Sequence, residues 1–185
     1  MPAVLLDTDI ISFVLEGDQT VVDYVDRLQS DKATRLFVSV VTLGELMSTP
    51  GLTDEERKEM IDTAKSMVDE VIEVDEHIAA IAGDFRRVSN SQTGKPCPTC
   101  NRRVGGKLKM PDALIAATAK SENAELLTHN VSDYASLSGA GMLVVTDPFV
   151  VPAPVQALGQ VPPSAPTNVT PQTPVEGNRG TTVRD

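Results

Sequence analysis

The sequence predicts an α/β fold, a three-layer α/β/α sandwich with a central, mostly parallel sheet. Three observations lead there. Five short, mainly apolar runs, at 4–6, 35–40, 71–74, 124–128 and 142–146, have the length and β-former content of strands. The stretches between them carry apolar residues at three- and four-residue spacing, the helical period. Strands that alternate with helices pair in parallel, with helices on both faces of the sheet. At 185 residues, 41% of them hydrophobic, the chain can bury one core of ordinary size.

Val4, Leu5 and Leu6 make the first strand apolar on both faces, as in a buried parallel strand, and Asp7 ends it. Thr8 is placed to cap a helix beginning near Asp9, with Ile10, Ile11, Val14 and Leu15 on one stripe and a break at Gly17-Asp18. A second helix covers 19–30 through Val21, Val22, Val25 and Leu28. Residues 35–40 form the second strand, and Val41-Thr42-Leu43-Gly44-Glu45-Leu46 a short helix that ends before Pro50-Gly51. Thr53-Asp54-Glu55-Glu56 is a capping box for a helix that buries Met60, Ile61, Ala64, Met67 and Val68. After the strand at 71–74, Asp75 caps a helix with Ile78, Ile81, Ala82, Phe85 and Val88 facing inward. Residues 89–109 have no apolar period and read as an inserted loop. Met110-Pro111-Asp112 opens the next helix, apolar nearly all round and therefore buried. The strand at 124–128, a loop with a helical turn at 129–137 and the strand at 142–146 complete a domain spanning 1–149. The tail, 150–185, holds seven prolines and few large apolar residues, a composition that predicts disorder.

Composition narrows the function classes. Aromatics are 3% of the chain and Trp is absent, which argues against stacking platforms for single-stranded nucleic acid. Two cysteines make no disulfide framework. No signal-like segment and no run of about 18 apolar residues is present, so the expected setting is cytoplasmic, with no membrane partner. The net charge of −10 disfavours nucleic acid when taken alone. It is uneven, however: Arg86, Arg87, Lys95, Arg102, Arg103, Lys107 and Lys109 fall in one stretch without an acid. That stretch is either an electrostatic footprint for nucleic acid or a solvated, disordered loop.

Four carboxylates fall at element ends. Asp7 ends the first strand, Glu45 lies in the helix after the second, Asp112 opens the buried helix, and Asp133 follows the strand at 124–128. Ligands collect at the carboxyl edge of such a sheet. A carboxylate beside an apolar core is costly unless something binds it. Asp112, in the first turn of a helix, is expected to stay ionised through the macrodipole. Each acid alone also reads as a cap or a solvated helix residue. Together, without His or Cys among them, they select a hard cation, Mg²⁺ or alternatively Mn²⁺. Such ions activate water and stabilise charge on a phosphodiester in flight.

Four stretches carry a family resemblance: Leu5-Leu6-Asp7-Thr8-Asp9-Ile10-Ile11-Ser12, Val41 to Leu46, Met110-Pro111-Asp112-Ala113-Leu114-Ile115-Ala116-Ala117-Thr118-Ala119, and Leu127-Thr128-His129-Asn130-Val131-Ser132-Asp133-Tyr134. In this order they resemble the PIN-domain ribonucleases, in the branch of the VapC-like toxins of type II toxin–antitoxin pairs. The resemblance covers residues 3–149, and the third stretch is its most specific part. It implies a PIN-like fold, Mg²⁺-dependent cleavage of RNA, a homodimer and a cognate antitoxin that blocks the site. Carried over by position, Asp7, Glu45 and Asp112 match the family's three acids and Asp133 the more variable fourth. Asp7 and Asp112 would be the principal Mg²⁺ ligands, with Glu45 and Asp133 positioning the metal-bound water or a second ion. Thr8, Thr128 and Asn130 match polar residues near the metal. The insertion at 89–109 and the Pro-rich tail depart from the family's pattern.

Cys97 and Cys100 look like one knuckle of a zinc ribbon, but two ligands are half of a structural site. Zinc is therefore not expected within one chain, although two chains could share an ion. His129 is expected to be a surface residue. Asp7-Thr8-Asp9 also evokes the haloacid dehalogenase-like phosphatases, whose residue two places after the second Asp is Thr or Val, where this chain has Ile11. A receiver domain fails for want of an acidic pair before its Asp. The remaining alternative is a non-catalytic PIN-like module that binds RNA or protein, which the full acidic set disfavours.

Overall fold

Alternation of side chains along a strand decides what each face of this sheet can bury. In β1 (Ala3–Leu6), Val4 and Leu6 point to one face and Leu5 to the other. The computed structural model describes residues 2–92 and 107–150. Within them, β1 lies at the centre of a five-stranded sheet with β2 (Arg35–Ser39), β3 (Glu70–Ile72), β4 (Glu125–Leu127) and β5 (Val145–Thr146). The strand order is β3-β2-β1-β4-β5, and every pairing is parallel. Leu5 stands in register with Phe37 and Leu126, and the three side chains share one face.

The helices fill both faces. Leu5, Phe37 and Leu126 pack against α5 (Glu76–Gln92), α6 (Met110–Ser121) and α7 (Ala135–Gly139) through Phe85, Ala116 and Leu137. Val4, Leu6 and Val38 pack on the other face against α1 (Thr8–Glu16), α2 (Gln19–Ser30), α3 (Val40–Met47) and α4 (Asp54–Ser66), through Ile10, Val21, Leu43 and Ala64. The result is the expected three-layer α/β/α sandwich. Each fully buried Leu or Ile contributes about 1.5–3 kcal/mol relative to exposure, so the two faces together dominate the stability. The apolar-all-round α6 is the buried helix that its pattern predicts.

Element ends differ from the sequence reading in instructive ways. Asp7, not Thr8, caps α1, because its carboxylate accepts from the Thr8 N–H and so serves the helix as well as the strand. Gly17 ends α1 with φ +78°, a left-handed conformation that a side chain would strain. Ser39 caps α3, so the second strand stops one residue earlier than expected. The third strand runs at 70–72, one residue earlier at its start and two at its end than the apolar run suggested. The proposed insertion is shorter than 89–109: α5 continues to Gln92. Leu108 is buried in the core, its N–H donating to the Ser89 hydroxyl at 3.1 Å and its carbonyl accepting from Arg86. An isolated apolar residue has no period to reveal it. The rest of that segment, with Cys97 and Cys100, and the tail beyond Val150 lie outside the described residues.

The topology positions a site. From β1 the chain moves outward to β2 and β3, then returns to build β4 and β5 on the opposite side of β1. The carboxyl ends of β1 and β4 are therefore the switch point of the sheet, the place where open α/β sheets bind their ligands. Asp7 follows β1 there and Thr128 follows β4, and the Asp7 N–H donates to the Leu127 carbonyl at 3.0 Å.

Candidate active site

Asp7 is held by its own helix and by a distant aromatic residue. Oδ1 accepts from the Thr8 N–H at 2.8 Å, and Oδ2 accepts from the Tyr134 hydroxyl at 2.9 Å. The carboxyl is 6% exposed and Tyr134 1%. Burial pushes the Asp7 carboxyl up to about 7, and the negative charge of Asp9 adds to the effect. The Thr8 N–H and the hydroxyls of Thr128 and Tyr134 pull the other way. Tyr134 is itself raised, first by burial and then by the charges of Asp7 and Asp112. Its hydroxyl therefore stays a donor at any physiological pH.

Around Asp7 the expected residues fall into three groups. The Thr8 hydroxyl donates to Glu45 Oε2, which joins the first turn of α1 to α3. Asp112 opens α6, as the pattern predicts. Burial raises its carboxyl, against the macrodipole expectation from sequence; Lys109 lowers it, and the charge of Asp133 raises it again. Asp133 Oδ2 accepts from the Asn130 side-chain amide at 2.6 Å. Thr128 is fully buried, and its hydroxyl accepts from the Asn130 N–H at 3.0 Å.

Two participants are absent from the sequence-derived set. Tyr134 is one, buried by packing that only the fold brings about. Asp9 is the other: its carboxylate accepts from Thr128 Oγ1 at 3.2 Å and from the N–H groups of His129 and Asn130 at 3.0 Å each. Asp9 thus ties α1 to the loop after β4. Burial is again the first cause of its raised carboxyl. The proximity of Asp9 to Asp7 was a visible signal, but its reach across the sheet to residue 128 was not.

The arrangement concentrates carboxylates with hard oxygen donors at one edge, and Lys109 beside Asp112 is a cation that counters them. Burial raises both Asp7 and Asp112, with the charge of Asp9 adding at Asp7 and that of Asp133 at Asp112, and a nearby cation would relieve the cost of ionising either. Among the described residues, no three acidic, histidine or cysteine side chains already converge as a coordination shell. Two clefts of about 340 and 540 Å³ open elsewhere, at the amino edge of the sheet beside Lys120 and Glu125 and beside Gln29 and Asp31.

Fold and site together define the class: a parallel α/β domain with carboxylates at the switch point of its sheet. The chain belongs to the PIN domain family, whose model matches residues 4–135. No curated protein sequence matches it. Among solved structures, the chain is similar to VapBC2 from Rickettsia felis bound to a DNA fragment from the promoter, with TM-score 0.59, 19% identity, and 78% of this chain and 98% of that one covered. It is likewise similar to VapBC-1 from nontypeable Haemophilus influenzae, with TM-score 0.59, 24% identity and 80% and 99% covered. FitAcB from Neisseria gonorrhoeae matches with TM-score 0.58, 22% identity and 80% and 99% covered. At these identities the likeness speaks for the fold.

Proposed function

We propose that the chain is a metal-dependent endoribonuclease, the toxin of a type II toxin–antitoxin pair. One observation supports the reading: Tyr134 donates to Asp7, Thr8 beside it donates to Glu45, and Asp112 lies near enough to Asp133 to be raised by its charge, although the four acids come from separate parts of the chain. Asp7 and Asp112 would hold Mg²⁺, or Mn²⁺ in its place, with Glu45 and Asp133 positioning water or a second ion. The bound ion supplies an activated water and charge stabilisation for phosphodiester hydrolysis. The protein's own part is positioning. Tyr134 orients Asp7, Thr8 orients Glu45, Asn130 orients Asp133, and Asp9 holds the loop that carries Thr128 and Asn130.

The likeness to structures named VapBC and to a toxin–antitoxin complex from Klebsiella pneumoniae supports a cognate antitoxin as partner, and the family resemblance supports a homodimer. No described helix is long and apolar enough to cross a membrane; we place the protein in the cytoplasm, among its RNA substrates. Purified protein incubated with structured RNA should cleave it with Mg²⁺, and lose cleavage in EDTA or on Asp7→Asn. Equal cleavage in all three conditions removes the metal mechanism. RNA binding without cleavage in any condition favours the non-catalytic module.

A further inference from the structure

The sequence holds four phenylalanines. Phe37 and Phe85 are buried in the core. The other two, Phe13 and Phe149, meet His129 at the surface. Ring centroids are 5.4 Å apart for Phe13–Phe149, 5.8 Å for Phe13–His129 and 4.6 Å for His129–Phe149, all edge-to-face. Phe149 is 36% exposed and the His129 side chain 52%. Asp147 fixes both: it accepts from the Phe149 N–H at 3.0 Å, and its carboxylate lies 3.2 Å from His129 Nδ1. The rings are therefore set before any ligand arrives.

Their place relative to the acids is equally fixed. Phe13 lies four residues after Asp9 on α1, hence one turn away on the same helix face. The His129 N–H donates to the Asp9 carboxylate at 3.0 Å, and His129 follows Thr128 at the switch point. Low aromatic content argues against a stacking surface, but the fold gathers the partly buried Phe13 with the more exposed Phe149 and His129 beside Asp9. We propose that Phe13, His129 and Phe149 form a stacking site for one nucleobase of a single-stranded RNA substrate next to the bond to be cut. This rests on the ribonuclease reading. A ring face accepts any base, so the site would anchor the strand without selecting sequence.

The test uses the full chain carrying Asp7→Asn, which keeps RNA intact, and a fluorescein-labelled single-stranded oligoribonucleotide of mixed sequence. Phe149→Ala and His129→Ala should each weaken binding about fivefold or more. Oligomers with one abasic residue at successive positions should bind the Asp7→Asn chain more weakly at one position, and that penalty should vanish in the Phe149→Ala background. The abasic series reads the site even where a variant folds poorly. Binding that is indifferent to both the rings and the base overturns the stacking site and leaves the ribonuclease reading standing. Absence of any RNA binding overturns both. Unchanged RNA affinity with weakened antitoxin binding in Phe149→Ala reassigns the rings to a protein contact.

Discussion

Asp7 is the residue on which structure and chemistry meet. It ends β1, caps α1, and receives the hydroxyl of Tyr134. Because its folded carboxyl is pushed up to about 7, the metal-free native state holds a proton that the unfolded chain has already released above about 4. Unfolding then releases that proton, so the stability linked to Asp7 is greatest below the unfolded value and declines as pH rises toward 7. Asp7→Asn should therefore raise the stability of the metal-free protein at neutral pH, on the order of 1–3 kcal/mol, and flatten its pH dependence between about 4 and 7. Thermal melts across that range check both. Tyr134→Phe removes one donor from a buried carboxylate and should cost about 1–3 kcal/mol at neutral pH. It should also lower cleavage, because Asp7 loses its orientation. A melt and a cleavage rate that both match the parent contradict the positioning role. The sequence singles out Asp7, Glu45, Asp112 and Asp133 by their places after strands or in the short helices beside them, but not Asp9, whose carboxylate joins the same network. Nor does it single out Tyr134, since no local pattern distinguishes an aromatic that packs over the core from one at the surface.

At the scale of elements, period and capping signals carried most of the information. The capping box at Thr53-Glu56, the buried pattern of α6 and the alternation of strands with helices all correspond to what forms. Boundaries moved where a single side chain had two duties. Ser39 belongs to β2 by pattern and to α3 by its cap, and Asp7 likewise serves β1 and α1. Leu108 escaped because its burial depends on Ser89 and Arg86 of α5, which only tertiary packing supplies. The alanines of α6 let it approach the sheet closely: Ala113, Ala116, Ala117 and Ala119 are all fully buried. Ala116→Leu should overfill that layer and destabilise by about 1–3 kcal/mol, and displacement of α6 would carry Asp112 with it. Denaturant melts together with a cleavage assay separate the two effects. A variant as stable as the parent contradicts the close packing of α6.

At the scale of the molecule, the proposed function asks a chain of net charge −10 to meet a polyanion. The segment from Arg86 to Lys109 concentrates cations, although Arg87 is paired with Asp84 and Arg86 holds the Leu108 carbonyl. Of the other five, Lys109 lies beside Asp112 and Lys107 is exposed, while Lys95, Arg102 and Arg103 fall outside the described residues. Replacing Arg102, Arg103 and Lys107 by Ser should weaken binding and reduce the salt slope, by up to about 0.7 for each single-strand phosphate that is no longer neutralised. An unchanged slope would assign those cations to solvent. The proposed mechanism needs a divalent ion at Asp7 and Asp112 before the site can face a phosphodiester, and burial raises both of these carboxyls in the metal-free protein. Calorimetric titration of Mg²⁺ into the parent, Asp7→Asn and Asp112→Asn proteins tests this most directly. Saturable binding in the parent, lost or strongly weakened in each variant, is the predicted result. Binding of equal strength in all three would contradict a metal site built on these two carboxylates.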